Sequence, residues 1–346
     1  MANTQGINEL IKISHYAAAN IGYIQGGGGN TSVKLDDHTM AVKASGCKLS
    51  QMGPLEGYVV VDYKKIKEYF ATADSTHVDF DSESGKQLQQ SILLQEGLKE
   101  LRPSVEAGFH SVLKTYVIHT HSVYANLLCC SKEGKALATQ LFESISYLWL
   151  PYVDPGAKLT LTISDAIRDF GSIPDVIFME NHGVIVTADT SDAAIELHEK
   201  VNTLIRTHFN LSVDFPEVVL EQVNNSDGTT KLVKSASPYV KDFFEHNVKE
   251  LVFIREKVLY PDQLVYLNNS IYKKDGSASD ILFIEGDLCY KISHKQAEVN
   301  EETLVAYLFV IQTIQENHLE LVSMNFEQQA FILGWESEAY RKSMLK

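Results

Sequence analysis

The sequence predicts an α/β protein followed by a smaller α+β unit. Three observations lead there. Short β-branched runs come in pairs around tight turns, and amphipathic helical stretches separate those pairs. After residue 212 the chain changes character: Pro216, Asn224 and Gly228 punctuate a stretch with few large apolar side chains. The expected boundaries are 1–212 for the first unit, 213–237 for a linker or hairpin tip, and 238–346 for the second unit.

Residues 7–18 place Leu10, Ile11, Ile13 and Ala17 at near-helical spacing, which predicts a first helix with a partly apolar face. It stops near Gly22, and Gly26-Gly27-Gly28-Gly29-Asn30 follows. Residues 31–35 read as a strand, Asp36-Asp37-His38 as a turn, residues 40–44 as the hairpin partner and residues 58–62 as a third strand. A helical tail is expected within 80–97. Pro103-Ser104 reads as a helix start, with Ser104 as N-cap and Glu106 in the first turn. Residues 116–118 form an apolar strand that runs into His119-Thr120-His121. Residues 122–141 read as helical, 148–156 as an irregular connector, and Ser164 as the cap of a short helix ending at Phe170. Residues 176–180 and 184–187 read as buried strands joined by the tight turn Asn181-His182-Gly183, and Ser191 or Asp192 as the cap of a helix over 193–209. In the second unit a helix is expected over 240–248, strands over 263–267, 270–273, 281–284 and 288–292, and helices over 303–316 and 326–344.

Residues two apart in a strand point to the same side. His119 and His121 can therefore reach one ion from one face, a recurrent zinc geometry; equally, one ring could be exposed and the other packed in the core. A third histidine, His182, and the carboxylate of Glu106 upstream favour the metal reading. Glu106 and His110 lie four apart on one helix face. A carboxylate there also suits the positive end of a helix, and His110 reads as a half-buried ring making a structural hydrogen bond. Four consecutive glycines cost backbone entropy, but they permit positive φ and close approach of the main chain to a ligand. With Ser45-Gly46 after the second strand, they form two loops that could cradle an anion through Asn30, Ser45 and backbone amides, or could be tight turns only. No Gly-Lys-Ser/Thr follows the glycines, and a strand rather than a helix comes next, so the run is neither a P-loop nor a Rossmann fingerprint.

The 346 residues carry a formal net charge of −15, which argues against a nucleic-acid footprint or an anionic membrane surface as partner. Hydrophobic residues make up 45% of the chain, enough for a sizeable core. Cys47, Cys129, Cys130 and Cys289 form no Cys-x-x-Cys pair and read as reduced thiols. With no basic leader and no long apolar run, the expectation is a cytoplasmic protein.

Gly28-Gly29-Asn30-Thr31-Ser32-Val33, Ala44-Ser45-Gly46, Pro103-Ser104-Val105-Glu106, His119-Thr120-His121 and Asn181-His182-Gly183 together resemble the class II aldolase/adducin family, and in that family's order. The resemblance covers roughly residues 5 to 210 and is nearest to the aldolase portion of bifunctional rhamnulose-1-phosphate aldolase/dehydrogenase proteins, without a dehydrogenase portion. Residues 258–267, with Tyr260-Pro261-Asp262, are weakly similar to the segment that follows that portion. The resemblance implies α/β/α layers around a mainly antiparallel sheet, and a divalent ion, usually Zn2+, on His119, His121 and His182. It implies Glu106 as catalytic acid/base, and Gly28, Gly29, Asn30, Ser45, Gly46 and Ser104 as contacts to a substrate phosphate. It also implies a homo-oligomer, often a tetramer, and a tyrosine that protonates the aldehyde. Fuculose-phosphate aldolases have two serines before the glutamate; here the second is Val105, which removes one hydroxyl from the phosphate site.

The chemistry suits these groups. Breaking a carbon–carbon bond beside a ketone requires stabilising an enediolate, and three neutral imidazoles leave zinc its full charge and an open position to do so. Glu106 would shuttle the proton, buried enough to hold its pKa near the working pH. The expected function is a zinc-dependent aldolase cleaving a ketose phosphate, or related sugar phosphate, to dihydroxyacetone phosphate and an aldehyde. The alternatives are an epimerase or dehydratase using the same metal site, or a non-enzymatic adducin-like interaction module. The second unit reads as a partner- or ligand-binding module, or as a cover for the first.

Overall fold

The computed structural model describes residues 4–77, 79–212, 214–224, 231–247, 251–271 and 279–334. Helix α1 (Thr4–Ala18) precedes the antiparallel strands β1 (Asn30–Lys34), β2 (Thr39–Lys43) and β3 (Tyr58–Asp62), all close to their expected bounds. Then come α2 (Tyr63–Thr72), α3 (Phe80–Gln90), α4 (Ala107–Val112), β4 (Tyr116–Thr120), α5 (Val123–Cys129), α6 (Gly134–Leu141), β5 (Tyr147–Leu150), α7 (Ala157–Phe170), β6 (Val176–Met179), β7 (Gly183–Ala188) and α8 (Ser191–His208). The strands form one sheet in the order β3-β2-β1-β4-β7-β6-β5, antiparallel everywhere except between β5 and β6. Side-chain alternation sorts the core. Ile118 and Val186 face Leu10, Ile13 and Val201 of α1 and α8 on one side. Val117 and Ile185 face Phe109, Leu159 and Ile163 of α4 and α7 on the other. This is an α/β/α sandwich, and each of these buried side chains contributes about 1.5–3 kcal/mol relative to exposure.

Several local expectations are corrected. The expected connector after residue 147 is an edge strand, β5; its parallel pairing with β6 is possible because α7 supplies the crossover. Ser164 does not cap α7. It lies inside the helix, its Oγ bonded back to the Thr160 carbonyl at 2.8 Å, while Gly156 opens the helix and left-handed Gly171 closes it. Thr190, not Ser191 or Asp192, caps α8, its Oγ accepting from the Ala193 amide. Residues 122–141 are two helices, broken around Ser131. The helix within 80–97 lies at its start rather than its tail.

The expected linker carries a strand pair, β8 (Leu220–Asn224) and β9 (Lys231–Ser235); residues 225–230, at the expected tip, lie outside the described residues. Next come α9 (Pro238–His246), α10 (Val252–Glu256), a π-helical turn (Gln263–Asn268) continuing as α11 (Asn269–Ile271), β10 (Ile281–Ile284), β11 (Asp287–Tyr290), α12 (His294–Glu316) and α13 (Phe326–Gly334). The ends of the expected helices at 248 and 335–344 also lie outside the described residues. So do 272–273 of the expected strand over 270–273. A second antiparallel sheet runs β10-β11-β9-β8. The strands expected at 263–267 and from residue 270 are helical instead. A short, continuously apolar run does not distinguish strand from buried helix, and all six residues of the π-turn are buried. There Gln263 donates to the Ile254 and Lys257 carbonyls and accepts from the Leu259 amide.

One apolar core runs through both units, joining Leu127 and Val201 of the first to Val233, Tyr290 and Leu308 of the second. At the junction the Asn181 side-chain amide donates to the Leu259 and Val322 carbonyls at 2.8 and 2.9 Å. The adjacent buried thiols Cys129 and Cys130 reach the carbonyls of Gly183 and Leu259. Among the described residues, no helix is long and apolar enough to cross a membrane.

Candidate metal centre

His119 is the penultimate residue of β4, His121 follows that strand's end, and His182 sits at the β6–β7 tip. The adjacent pairing of β4 with β7 brings them together. Gly183 has no room for a side chain: a Cβ there would lie 2.3 Å from the Thr120 carbonyl oxygen. One ligand atom from each of the three buried rings lies within 4.8 Å of the others. His119 Nδ1 donates to the Val184 carbonyl at 3.1 Å and His121 Nδ1 to Asp262 Oδ2 at 2.6 Å. That fixes both tautomers with bare Nε2 lone pairs, and those two Nε2 atoms, with His182 Nδ1, are buried without a hydrogen-bond partner. Burial lowers the pKa of His119 to about 4 and of His182 to about 3, so both are neutral at neutral pH, as metal ligation requires. Unpaired buried nitrogens are costly unless something fills them. The donor set therefore fits a divalent transition-metal ion; zinc bonds such nitrogens at about 2.0–2.1 Å.

Glu106 stands beside the rings, Oε1 3.4 Å from His182 Nε2 and Oε2 3.7 Å from His119 Nε2. It occupies the N-cap position of α4 without capping it, so Ser104 is not the N-cap expected from the sequence; Ser104 Oγ accepts from the Glu106 amide within the preceding turn. Burial works to raise the Glu106 pKa, but positive charge on the His119, His182 and His121 rings, which His119 and His182 take up only in acid, and the Asn30 amide outweigh it and hold it down to about 2. The expected value near working pH is corrected: the group is buried and ionised.

A chain of hydrogen bonds aims Asn30 at this carboxylate. Ser32 Oγ donates to His110 Nδ1 at 2.7 Å, His110 Nε2 donates to Asn30 Oδ1, and Asn30 Nδ2 donates to Glu106. His110 is structural, as expected, but fully rather than half buried. Burial lowers its pKa to about 3.

Gly29, Asn30, Ser45, Gly46, Ser104 and Glu106 line a narrow cleft of about 40 Å³. Gly28 does not line it. A Cβ on Gly28 would lie 2.5 Å from Asp262 Oδ2 and 2.7 Å from His121 Nδ1, so the bare Cα makes room for that pair. The Gly28 and Ser45 amides are spent on the Gln25 and Arg102 carbonyls, so neither offers an N–H to an anion. The Asn30 side chain is likewise taken up by His110, Glu106 and Ser104, against the phosphate contact expected of it. The cleft is also lined by Ser45, Ser104 and a residue the sequence reading missed, Lys43, buried at the end of β2 with Nζ 3.1 Å from the Gly27 carbonyl. Alternation around buried Met40 and Val42 gave no hint that a lysine there would turn into a cleft. Asp262, on the far wall with Pro261, was missed too; no His or Cys beside it marks it as part of a metal centre.

The class II aldolase and adducin N-terminal domain model matches residues 8–209. The protein described as "Uncharacterized oxidoreductase YuxG" from Bacillus subtilis (strain 168) is 27% identical over 203 residues, which are 56% of this chain and 28% of that protein. The match thus spans little more than a quarter of that relative's length. Among solved structures, the N-terminal class II aldolase domain of a conserved protein from Thermoplasma acidophilum aligns with a TM-score of 0.51 at 22% identity, covering 58% of this chain and 92% of that one. An L-fuculose 1-phosphate aldolase aligns with a TM-score of 0.43 at 19% identity, covering 60% of this chain and 86% of that one.

Proposed function

Since this chain belongs to the class II aldolase and adducin N-terminal domain family, we propose that it is a metal-dependent carbon–carbon lyase. Its substrate would be a ketose phosphate or related sugar phosphate, cleaved to dihydroxyacetone phosphate and an aldehyde. The observation that carries this reading is the set of three buried imidazoles, two with tautomers fixed so that Nε2 is bare, around one ionised carboxylate. His119, His121 and His182 would hold the ion, zinc being the leading candidate, and a bound divalent ion supplies Lewis-acid polarisation of a substrate carbonyl. Glu106 moves the proton. In the addition direction it takes a proton from the carbon beside the carbonyl, and in cleavage the protonated acid returns it. Asn30 keeps the carboxylate in place through both states, and His110 keeps the Asn30 amide from flipping. Lys43, Ser45 and Ser104 offer the charge and hydroxyls for the phosphate, so Lys43 makes good what Val105 removes.

The test is metal content together with retro-aldol turnover on a panel of ketose 1-phosphates, for wild type and Glu106→Gln. Two carbon fragments, formed only by metal-replete wild type, support a lyase. An isomer or a dehydrated product from the same site would replace cleavage with epimerisation or dehydration, and zinc-loaded protein inert on every sugar phosphate would end the proposal.

A further inference from the structure

We propose that Asp262 is a positioning residue of the metal centre, and that the second unit thereby completes a site whose ligands all lie in the first. The inference rests on the metal reading above and not on the reaction. Asp262 is 2% exposed and its Oδ2 accepts from His121 Nδ1 at 2.6 Å. That bond selects the tautomer with a bare Nε2, fixes the ring's rotation and makes the nitrogen more electron-rich, which is how a carboxylate behind a histidine strengthens metal binding. Gly28 has the only residue type that lets the pair form, since any Cβ there would strike both partners. The neighbouring stretch also steadies His182: the Leu259 carbonyl, three residues before Asp262, and the Val322 carbonyl receive the Asn181 amide at the hairpin tip. Asn181 holds a φ of 50°, a left-handed conformation that asparagine adopts more readily than most residues, and the two bonds fix its side chain there. Two of the three ring positions therefore depend on the second unit.

The experiment measures zinc affinity of the full chain by competition with a chromophoric chelator, and the visible spectrum of the Co2+-loaded protein, for wild type, Asp262→Asn, Asp262→Ala, His121→Ala and the His121→Ala/Asp262→Ala double variant. Asp262→Ala should bind zinc about 10- to 100-fold more weakly, with an altered Co2+ spectrum. Asp262→Asn, which keeps an acceptor for Nδ1–H, should lose less. Because Asp262 acts through His121, the double variant should bind no more weakly than His121→Ala alone, a non-additivity that general loosening of the fold does not produce. Additive losses, or Asp262→Ala and Asp262→Asn both binding zinc as wild type does, would overturn the proposal while leaving the three-histidine site intact. Wild type that takes up no metal would overturn both. Should Asp262→Ala not fold, the isosteric Asp262→Asn decides alone: a wild-type affinity and spectrum would sink the idea, and a weakened, shifted site would uphold it.

Discussion

Glu106 and Glu301 are both buried carboxylates, one in each unit, and their surroundings are opposite. Glu301 accepts hydroxyls from Ser235 at 2.6 Å, Ser237 at 2.5 Å and Tyr290, and burial raises its pKa. Glu106 has one firm donor in Asn30, bare ring nitrogens opposite and a cleft in front, and its pKa is held down. The contrast teaches that burial of a charged group does not mark a site. What marks it is unfilled bonding capacity on several groups at once: three unpaired ring nitrogens converge beside the carboxylate.

The sharpest way to break the comparison is to neutralise each group. Glu106→Gln should lower kcat by about 10²–10⁴-fold with little change in urea stability; retained turnover would put Glu106 on the same structural footing as Glu301. The pH dependence of stability should also carry opposite signs. His110, and His198 buried in α8 against the Thr120 hydroxyl, have folded pKa values lowered to about 3 and about 4 by burial and so bind protons in the unfolded chain first. Stability should therefore fall as pH drops below about 6.5 toward those values, by up to about 1.4 kcal/mol per pH unit for each ring. Glu301, raised when folded, contributes stability at low pH that is lost as pH rises above its ordinary value through the folded one. Thermal melts from pH 4 to 8 check this, with Glu301→Gln removing only the alkaline loss. Lys43→Met should raise KM for a phosphorylated substrate roughly 10- to 100-fold, the worth of about 1.5–3 kcal/mol for a charged hydrogen bond, while leaving zinc content unchanged. Unchanged KM would remove Lys43 from the anion site. At Glu301 itself the effect is on stability alone: Glu301→Leu should cost about 1–3 kcal/mol in urea denaturation for each of the three hydroxyls that it leaves stranded, with no loss of metal.

Much of the first region was legible because its signals are local. The β1–β2 and β6–β7 hairpins follow from β-branched runs around turn residues, and the spacing of His119 and His121 already places two rings on one side of a strand. Glu106 could be picked out as a carboxylate close upstream of them. Asp262 and Lys43 could not, because what makes them matter is who stands opposite, across 141 residues of chain for Asp262 and His121. Likewise Gln263-Leu264-Val265-Tyr266-Leu267 has strand-forming side chains, but tertiary burial on every side overrides that preference. The second strand pair, β8–β9, showed in the sequence only as the alternative of a linker or hairpin tip, because the stretch carries few large apolar side chains.

The paired thiols at the junction bear on the protein's chemical wear. Both are buried, and burial pushes both well above the ordinary thiol range; Cys130, whose Sγ reaches the Leu259 carbonyl, is the one sealed against the second unit, and it forms no thiolate while the junction is shut. Peroxide or an alkylating reagent can reach Cys130 only after the junction has parted, so damage at this sulfur would record how often the seam opens during the protein's lifetime.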